Sequence, residues 1–443
     1  MRIIIIGAGP GGYETAVEAA KRGIEVTIVT DGPLGGTCLN EGCIPTKTFC
    51  HYAELVEEIS RGGEHGIAEG SLTFDFSKVA ERKEAVVEQL RMGVDSLMKN
   101  KLITLVAGKA SIKDAHTVVV NDHEIEGDYI IIATGSVSSF LPIPGIDLLG
   151  VVTSKEILDM TEIPERLVVI GGGVIGLEFA SIFKAFGSEV TVLEYAKDIL
   201  PRFDSDLSKR LKQALGKRGI TIETQAQVTS IEEGLKVKYL KKDKECEAEG
   251  DCVLMAVGRR ANLESLNLSE VGIDFTRRGI VVDENMQTSV PGIYAVGDIT
   301  GGLMLAHVAT FQGLRALNHI CGQSDSIDFD IVPAAVFTMP EAATVGMSEE
   351  QCKEMGLSIK CLKSFFRANG KAVSMDSTEG GCKVMVDAED GEILGCHLFG
   401  PHSADIVQEV AALMAKKATL TELQSIIHAH PTLGEVIQAA AHS

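Results

Sequence analysis

The chain of 443 residues carries a net charge of −21 at neutral pH and has a pI near 5.0, and its length provides for two or three domains with cores of their own. So acidic a chain excludes nucleic acid as the expected partner, because phosphate binding needs clustered Lys and Arg. No run approaches the roughly 20 apolar residues of a membrane span, and MRIIIIGAGPGG is too short for a signal peptide, so no membrane partner is expected and the expected setting is cytoplasmic.

The first predicted elements are a strand of isoleucines, RIIII, and a helix opened by Gly7, Gly9 and Gly12 in a GxGxxG spacing. Glycines in that context allow a tight turn and let a pyrophosphate approach a helix N-terminus. The next strand, EVTIVT, ends at Thr30, with Asp31 following.

The run GGTCLNEGCIPTK then sets Cys38 and Cys43 close behind this loop, with Thr37 before the first thiol and Lys47 one helical turn after the second. A dithiol in one short unit with a nucleotide loop points to redox chemistry. If Cys43 lies in the first turn of a helix, the two Cα atoms can approach disulfide distance, and the helix N-terminus favours a thiolate. Two other readings are open to the residues alone: half of a zinc site, which lacks its second Cys or His pair, and a pair of buried structural thiols. No metal is expected. Glu41 lies between the thiols, where a carboxylate opposes thiolate formation.

From about Thr48 to Lys99 the first half carries an amphipathic helical stretch, with Val86, Leu90, Val94 and Leu97 at helical spacing. Gly108 follows in VAGKA, and the half closes on YIIIATGS, which holds Thr134 and Gly135.

The pattern then repeats. RLVVIGGGVIGLEFA places Gly171, Gly173 and Gly176 as the first copy places its glycines, with Val174 and Glu178 beside them, and EVTVLE ends at Glu194. A lone GxGxxG is weak evidence, but two copies with matching second strands indicate two nucleotide-binding domains. Glu194 is placed to accept hydrogen bonds from ribose hydroxyls and to repel a 2′-phosphate, and no Arg follows it closely, so NAD is favoured over NADP. The same offset in the first copy falls on Thr30. Val228 in QAQVTS and Gly258 at the end of VLMAVGRR complete this half.

TSVPGIYAVGDIT, ending near Asp298, is a third strand-and-glycine signal, and it leads into Met304, Ala306 and His307. From Pro333 the chain has no glycine fingerprint. Near its end IIHAHPTLGE offers a base: thiol–disulfide exchange needs a thiolate attacker, and a histidine can take the proton near neutral pH. His430 precedes Pro431, which pushes it out of helical geometry. Glu435 is either its partner or the last residue of a Thr432-x-x-Glu435 capping box, and spacing alone does not choose. His428 is the weaker candidate.

Across essentially its whole length the chain resembles the pyridine nucleotide–disulfide oxidoreductases. The resemblance implies an α/β fold with two Rossmann-like domains, one for FAD and one for NAD, and a C-terminal α+β dimerisation domain. The expected boundaries are 1–145 for the first part of the FAD domain, 146–270 for the NAD domain, 271–328 for the return to the FAD domain and 333–443 for dimerisation. It implies a redox disulfide between Cys38, the outer thiol, and Cys43, the inner one, and a helical insertion beside the flavin. FAD would be held by Gly7, Gly9, Gly12, Asp31, Thr37, Lys47, Gly108, Thr134, Gly135, Asp298, Met304, Ala306 and His307. NAD would be held by Gly171, Gly173, Val174, Gly176, Glu178, Glu194, Val228 and Gly258, with Lys47 and Glu178 paired. Thr30 departs from the family's usual glutamate.

The HAHPT run followed by Glu435 is similar to the branch that oxidises dihydrolipoyl groups with NAD. There His430 and Glu435 form the catalytic pair, His430–Pro431 is cis, and the histidine serves the disulfide of the other subunit. The implied partners are a second copy of the chain and dihydrolipoyl groups on a carrier protein or acyltransferase. The alternatives are a glutathione- or mercuric-reductase-like enzyme, or a docking component with little turnover. The first would want NADPH-binding arginines instead of Glu194, and mercuric reductases usually end in a vicinal cysteine pair that AAAHS lacks.

Overall fold

The computed structural model describes residues 1–62, 66 and 73–443. The chain divides into two compact units, one of Met1–Thr48, Ser77–Ser139 and Gly258–Ile327, the other of Phe49–Phe76, Phe140–Val257 and Asp328–Ser443.

The first unit is built on a parallel sheet with the strand order Ile293–Ala295, Tyr129–Ile132, Arg2–Ile6, Glu25–Thr30, Ile103–Ala107. Ile3, Ile4 and Ile5 are completely buried. This is why an unbroken isoleucine run reads as one strand: a parallel sheet covered on both faces has no solvent side to alternate with. A three-stranded antiparallel sheet, Ala110–Asp114, Thr117–Val120 and His123–Glu126, covers one face and contributes Ile112, Val118 and Val120 to the same core. The helices Pro10–Lys21 and Ala306–Ile320 pack closely, since a Cβ on Gly313 would lie 1.9 Å from the Thr15 hydroxyl.

The second unit repeats the plan with Ile220–Thr224, Glu189–Glu194, Arg166–Ile170, Cys252–Met255 and Val151–Val152, again all parallel. It has its own antiparallel sheet of Ala226–Glu232, Lys236–Lys241 and Lys244–Glu249. The C-terminal part of this unit is an antiparallel five-stranded sheet, Ala334–Val336, Glu341–Gly346, Ile393–Gly400, Gly381–Asp387, Ile359–Phe365. Val407, Val410, Val436, Ile437 and Ala440 from the helices Ser403–Met414 and Glu435–Ala441 share its core. The architecture is thus the expected one of two Rossmann-like sheets and a C-terminal α+β region.

Two details differ from expectation. Residues 258–270, expected with the second nucleotide-binding body, belong to the first unit, where Arg259–Ala261 pairs with Ser136–Ser138. The helical insertion is present as Cys43–Gly62 and Phe76–Met98, with residues 63–65 and 67–72 outside those described. In the second of these helices the buried stripe is Phe76, Ala80, Val87, Val94 and Met98, whereas Leu90 and Leu97 are exposed. Both stripes have helical spacing, so periodicity located the helix and could not choose its inner face. Among the described residues no helix is long and apolar enough to cross a membrane, and no cluster of metal-ligating side chains is found.

Candidate active site

The two glycine loops are alike in detail. Gly7 has φ +110°, and a Cβ there would lie 2.2 Å from the Ala133 carbonyl oxygen, while one on Gly12 would lie 1.9 Å from that of Gly7. In the second copy Gly171 has φ +115° and meets Ala256 O at 2.3 Å, and Gly176 meets Gly171 O at 2.0 Å. The first and third glycines are therefore demanded by backbone. The middle ones are open: Gly173 has nothing within 4 Å, and Gly9 only the Gly36 Cα at 3.9 Å. Gly9 and Gly173 are also the N-caps of Pro10–Lys21 and Val174–Ala185, and neither has a side-chain cap. Each loop thus leaves a space in front of unsatisfied helix N–H groups, which is the shape a pyrophosphate needs. FAD and NAD fit these two cradles.

The segment that carries Cys38 and Cys43 is laid directly on the first cradle. Gly35 N–H donates to Ala8 O at 2.9 Å, and a Cβ on Gly36 would lie 2.6 Å from Gly9 Cα. Thr37 and Cys38 lie in the short helix Gly36–Asn40, and Cys43 is the first residue of Cys43–Gly62, as the thiol spacing predicts. Asn40 Nδ2 ties the loop to Leu34 O and Gly36 O, both at 2.9 Å, and its buried Oδ1 has no protein partner, an acceptor facing this region without a donor. Both cysteines are half-buried and in the thiol form. Their mutual hydrogen bond, with burial, pushes the Cys38 thiol up, and the Lys47 ammonium acts in the opposite sense.

At the end of the second strand Thr30 Oγ1 is engaged in a local turn with Gly32, donating to its O at 3.1 Å and accepting its N–H at 3.3 Å, and the next residue, Asp31, is exposed. Gly108 N–H donates to Thr30 O at 2.9 Å, and the Gly108 φ of +148° closes this corner. Glu194 is held more firmly: Oε2 accepts Gly172 N–H at 2.5 Å and Oε1 accepts Ala196 N–H at 2.6 Å. Its carboxylate is fixed against the second cradle with lone pairs to spare. Val228 is buried in Ala226–Glu232.

Thr134 Oγ1 donates to Asn262 O at 3.0 Å, and Asn262 N–H donates to Gly135 O at 2.9 Å. Gly258, at φ +106° with nothing within 4 Å, stands beside them in the first unit. Asp298 lies in the short turn Gly297–Thr300 and accepts the Ser136 hydroxyl at 2.5 Å. Gln312 holds Gly297 N–H at 2.7 Å. Met304 precedes Ala306–Ile320, and Ala306 and His307 are its first residues. Ser136, Arg259, Gln312 and Asn40 had no signal in the sequence, since none belongs to a spaced motif. The ATGS run pointed to the neighbourhood of Ser136 only.

In the second unit Val174 opens Val174–Ala185 and is 37% exposed, whereas Glu178 is buried and accepts Phe337 N–H at 2.9 Å. His430, 78% exposed at its side chain, meets Glu435 Oε1 through Nδ1 at 2.9 Å, and its bond to Pro431 is cis. Glu435 Oε2 accepts Thr432 N–H at 2.8 Å. The final helix begins at Glu435 with Gly434 as N-cap, and Thr432 Oγ1 donates to Ala429 O. Only half of the capping box is therefore formed, and the histidine partnership exists beside it. The Thr432 N–H and the His430 ring hold the Glu435 carboxyl below its ordinary range. His428 is used structurally, its ring between Ile426 O at 3.2 Å and Glu409 at 2.9 Å.

A profile described as pyridine nucleotide-disulphide oxidoreductase matches residues 1–313, and one for the dimerisation domain of those proteins matches 332–441. A dihydrolipoyl dehydrogenase of Staphylococcus aureus is 42% identical over 99% of this chain and 95% of its own. Another from Bacillus subtilis is 39% identical over 99% and 98%. Among solved structures, the HOCl-induced flavoprotein disulfide reductase RclA from Escherichia coli has a TM-score of 0.89 at 32% identity, covering 100% of this chain and 99% of that one. With two nucleotide cradles, a dithiol laid on the first of them and a matching dimerisation region, the chain belongs to the pyridine nucleotide-disulphide oxidoreductase family.

Proposed function

We propose that this protein oxidises dihydrolipoyl groups to lipoyl groups and reduces NAD to NADH, with Cys38 and Cys43 as the redox pair and His430 as the base. The observation that carries the reading is the His430–Glu435 hydrogen bond on an exposed ring. An ionised carboxylate only accepts, so Nδ1 carries the hydrogen and Nε2 presents its lone pair to a substrate thiol. The long full-length likeness to dihydrolipoyl dehydrogenases supports the choice of substrate.

His430 takes a proton from one substrate thiol at Nε2. The thiolate attacks Cys38 Sγ of the disulfide and Cys43 leaves as thiolate. The second substrate thiol then attacks the substrate sulfur of the mixed disulfide, closing the lipoyl ring and releasing Cys38. Lys47 and the start of Cys43–Gly62 favour the thiolate state of the pair. Bound FAD would supply the two-electron chemistry that joins the dithiol to NAD. Gly7, Gly9, Gly12, Asp31, Thr37, Gly108, Thr134, Gly135, Asp298, Met304, Ala306 and His307 would hold it. Gly171, Gly173, Val174, Gly176, Glu194, Val228 and Gly258 would hold the pyridine nucleotide, with Glu194 on the ribose hydroxyls.

The active form in this reading is a homodimer joined through residues 333–443, in which His430 of one copy serves the disulfide of the other. The dihydrolipoyl group arrives on a carrier protein or acyltransferase. The eight cysteines other than Cys38 and Cys43, read as reduced core or surface thiols, suit a cytoplasmic setting. Steady turnover of dihydrolipoamide with NAD by the purified flavoprotein tests the proposal, and a protein that forms no NADH under those conditions overturns it.

A further inference from the structure

The first unit holds a half-buried cation that the mechanism above does not use. Arg259 stands in the short strand Arg259–Ala261, antiparallel to Ser136–Ser138, and grips Ser136 twice: Nε donates to Oγ at 2.7 Å and Nη2 to the main-chain O at 2.8 Å. Because Ser136 Oγ accepts from the guanidinium, its single hydrogen is directed to Asp298, at 2.5 Å from Oδ2. The fork therefore sets a hydroxyl, and the hydroxyl sets a carboxylate.

Asp298, Glu41 and Cys43 each act electrostatically to favour the charge of the same guanidinium. Burial works against the Arg259 charge and these three work for it, and a guanidinium remains protonated in either case. Around the thiol pair the other groups are Lys47 and Tyr13, both beside Cys38, and burial with the neighbouring Glu14 keeps the Tyr13 phenol neutral. A carboxylate in the loop between two redox cysteines disfavours a thiolate, and the Arg259 charge acts in the opposite sense, as Lys47 does.

We propose that Arg259 is a positioning residue of the flavin and disulfide centre, fixing Asp298 through Ser136 and stabilising a Cys43 thiolate against the charge of Glu41. This rests on reading Cys38 and Cys43 as the redox pair.

The test is alkylation of the reduced flavoprotein by iodoacetamide across a pH series, with Cys38 and Cys43 resolved by mass spectrometry, alongside release of FAD followed by its fluorescence. Arg259→Met raises the Cys43 midpoint by about one pH unit, the low end of the effect of a nearby opposite charge. Glu41→Gln in that background brings it back down. Ser136→Ala leaves the midpoint in place and speeds FAD release severalfold. Arg259→Lys keeps the charge and loses the fork, so it holds the midpoint and releases FAD faster, and it carries the test if the methionine variant does not fold. A Cys43 midpoint unmoved in Arg259→Met, or FAD held as tightly in Ser136→Ala as in the parent, overturns the proposal. A Cys43→Ser protein with normal dihydrolipoamide turnover overturns the redox-pair reading instead, so the two failures are distinct.

Discussion

Glu435 holds His430 Nδ1 at 2.9 Å with one carboxylate oxygen and the Thr432 N–H at 2.8 Å with the other. The ring is thereby fixed in orientation and tautomer by a group that is itself tied to the backbone, and this gives the first prediction. His430→Ala lowers dihydrolipoamide turnover by roughly 10² to 10⁴. NADH oxidation by an artificial dye survives, because that route takes no proton from a substrate thiol. Glu435→Gln falls between, since an amide oxygen can replace only one of the two acceptors. Steady-state rates with both acceptors check this, and unchanged dihydrolipoamide kinetics in His430→Ala would remove the residue from the mechanism.

The second prediction concerns the thiols. Cys38→Ser and Cys43→Ser each abolish dihydrolipoamide oxidation and retain bound FAD, since the cradle of Gly7, Gly9 and Gly12 is built from backbone. Absorbance of the purified variants and a turnover assay decide it.

The third concerns nucleotide choice. With Glu194 pinned by Gly172 N–H and Ala196 N–H, NAD is preferred to NADP in kcat/KM. Glu194→Arg narrows or reverses the preference by removing a ribose acceptor and adding a cation near the 2′ position. Equal use of both nucleotides by the parent protein contradicts the assignment.

The fourth is a stability prediction from the second unit. Lys383 is 6% exposed and bridges the fully buried Asp204, at 2.8 Å, and Glu349, at 2.7 Å. Burial alone raises the Asp204 carboxyl, but the Lys383 hydrogen bond reverses this and leaves it lowered. Lys383→Met leaves Asp204 charged without a counterion and costs about 3–5 kcal/mol, measurable by denaturant titration. Hydrogen bonds from Lys353 and Lys383 bring Glu349 down to about 2. A carboxylate lowered by folding stabilises the protein fully above its unfolded value, and that stability is lost as pH falls toward about 2. Glu349→Gln therefore flattens the loss of melting temperature between pH 4.5 and pH 2, the interval between the ordinary and the folded value.

The two cradles were legible because a glycine whose Cβ would lie about 2 Å from a carbonyl oxygen cannot be replaced, so the constraint is printed in the sequence at Gly7 and Gly12 and again at Gly171 and Gly176. The thiol pair was legible for a similar reason, its spacing being part of its chemistry. The relay from Arg259 through Ser136 to Asp298 was not, since its members are common residue types brought together from distant parts of the chain. The role of Thr30 was hidden too, because the turn it makes with Gly32 competes locally for a hydroxyl that could otherwise have faced a ligand.

The two parallel sheets acquire their edge strands in opposite senses. Val151–Val152 precedes the rest of the second sheet, whereas Ile293–Ala295 reaches the first sheet only after the second is complete at Cys252–Met255. A chain still on the ribosome that ends between these points has every strand of the later sheet, yet lacks the last strand of the earlier one and Asp298 with it. Order of synthesis and order of completion are therefore reversed, and the sheet begun first is the one finished last.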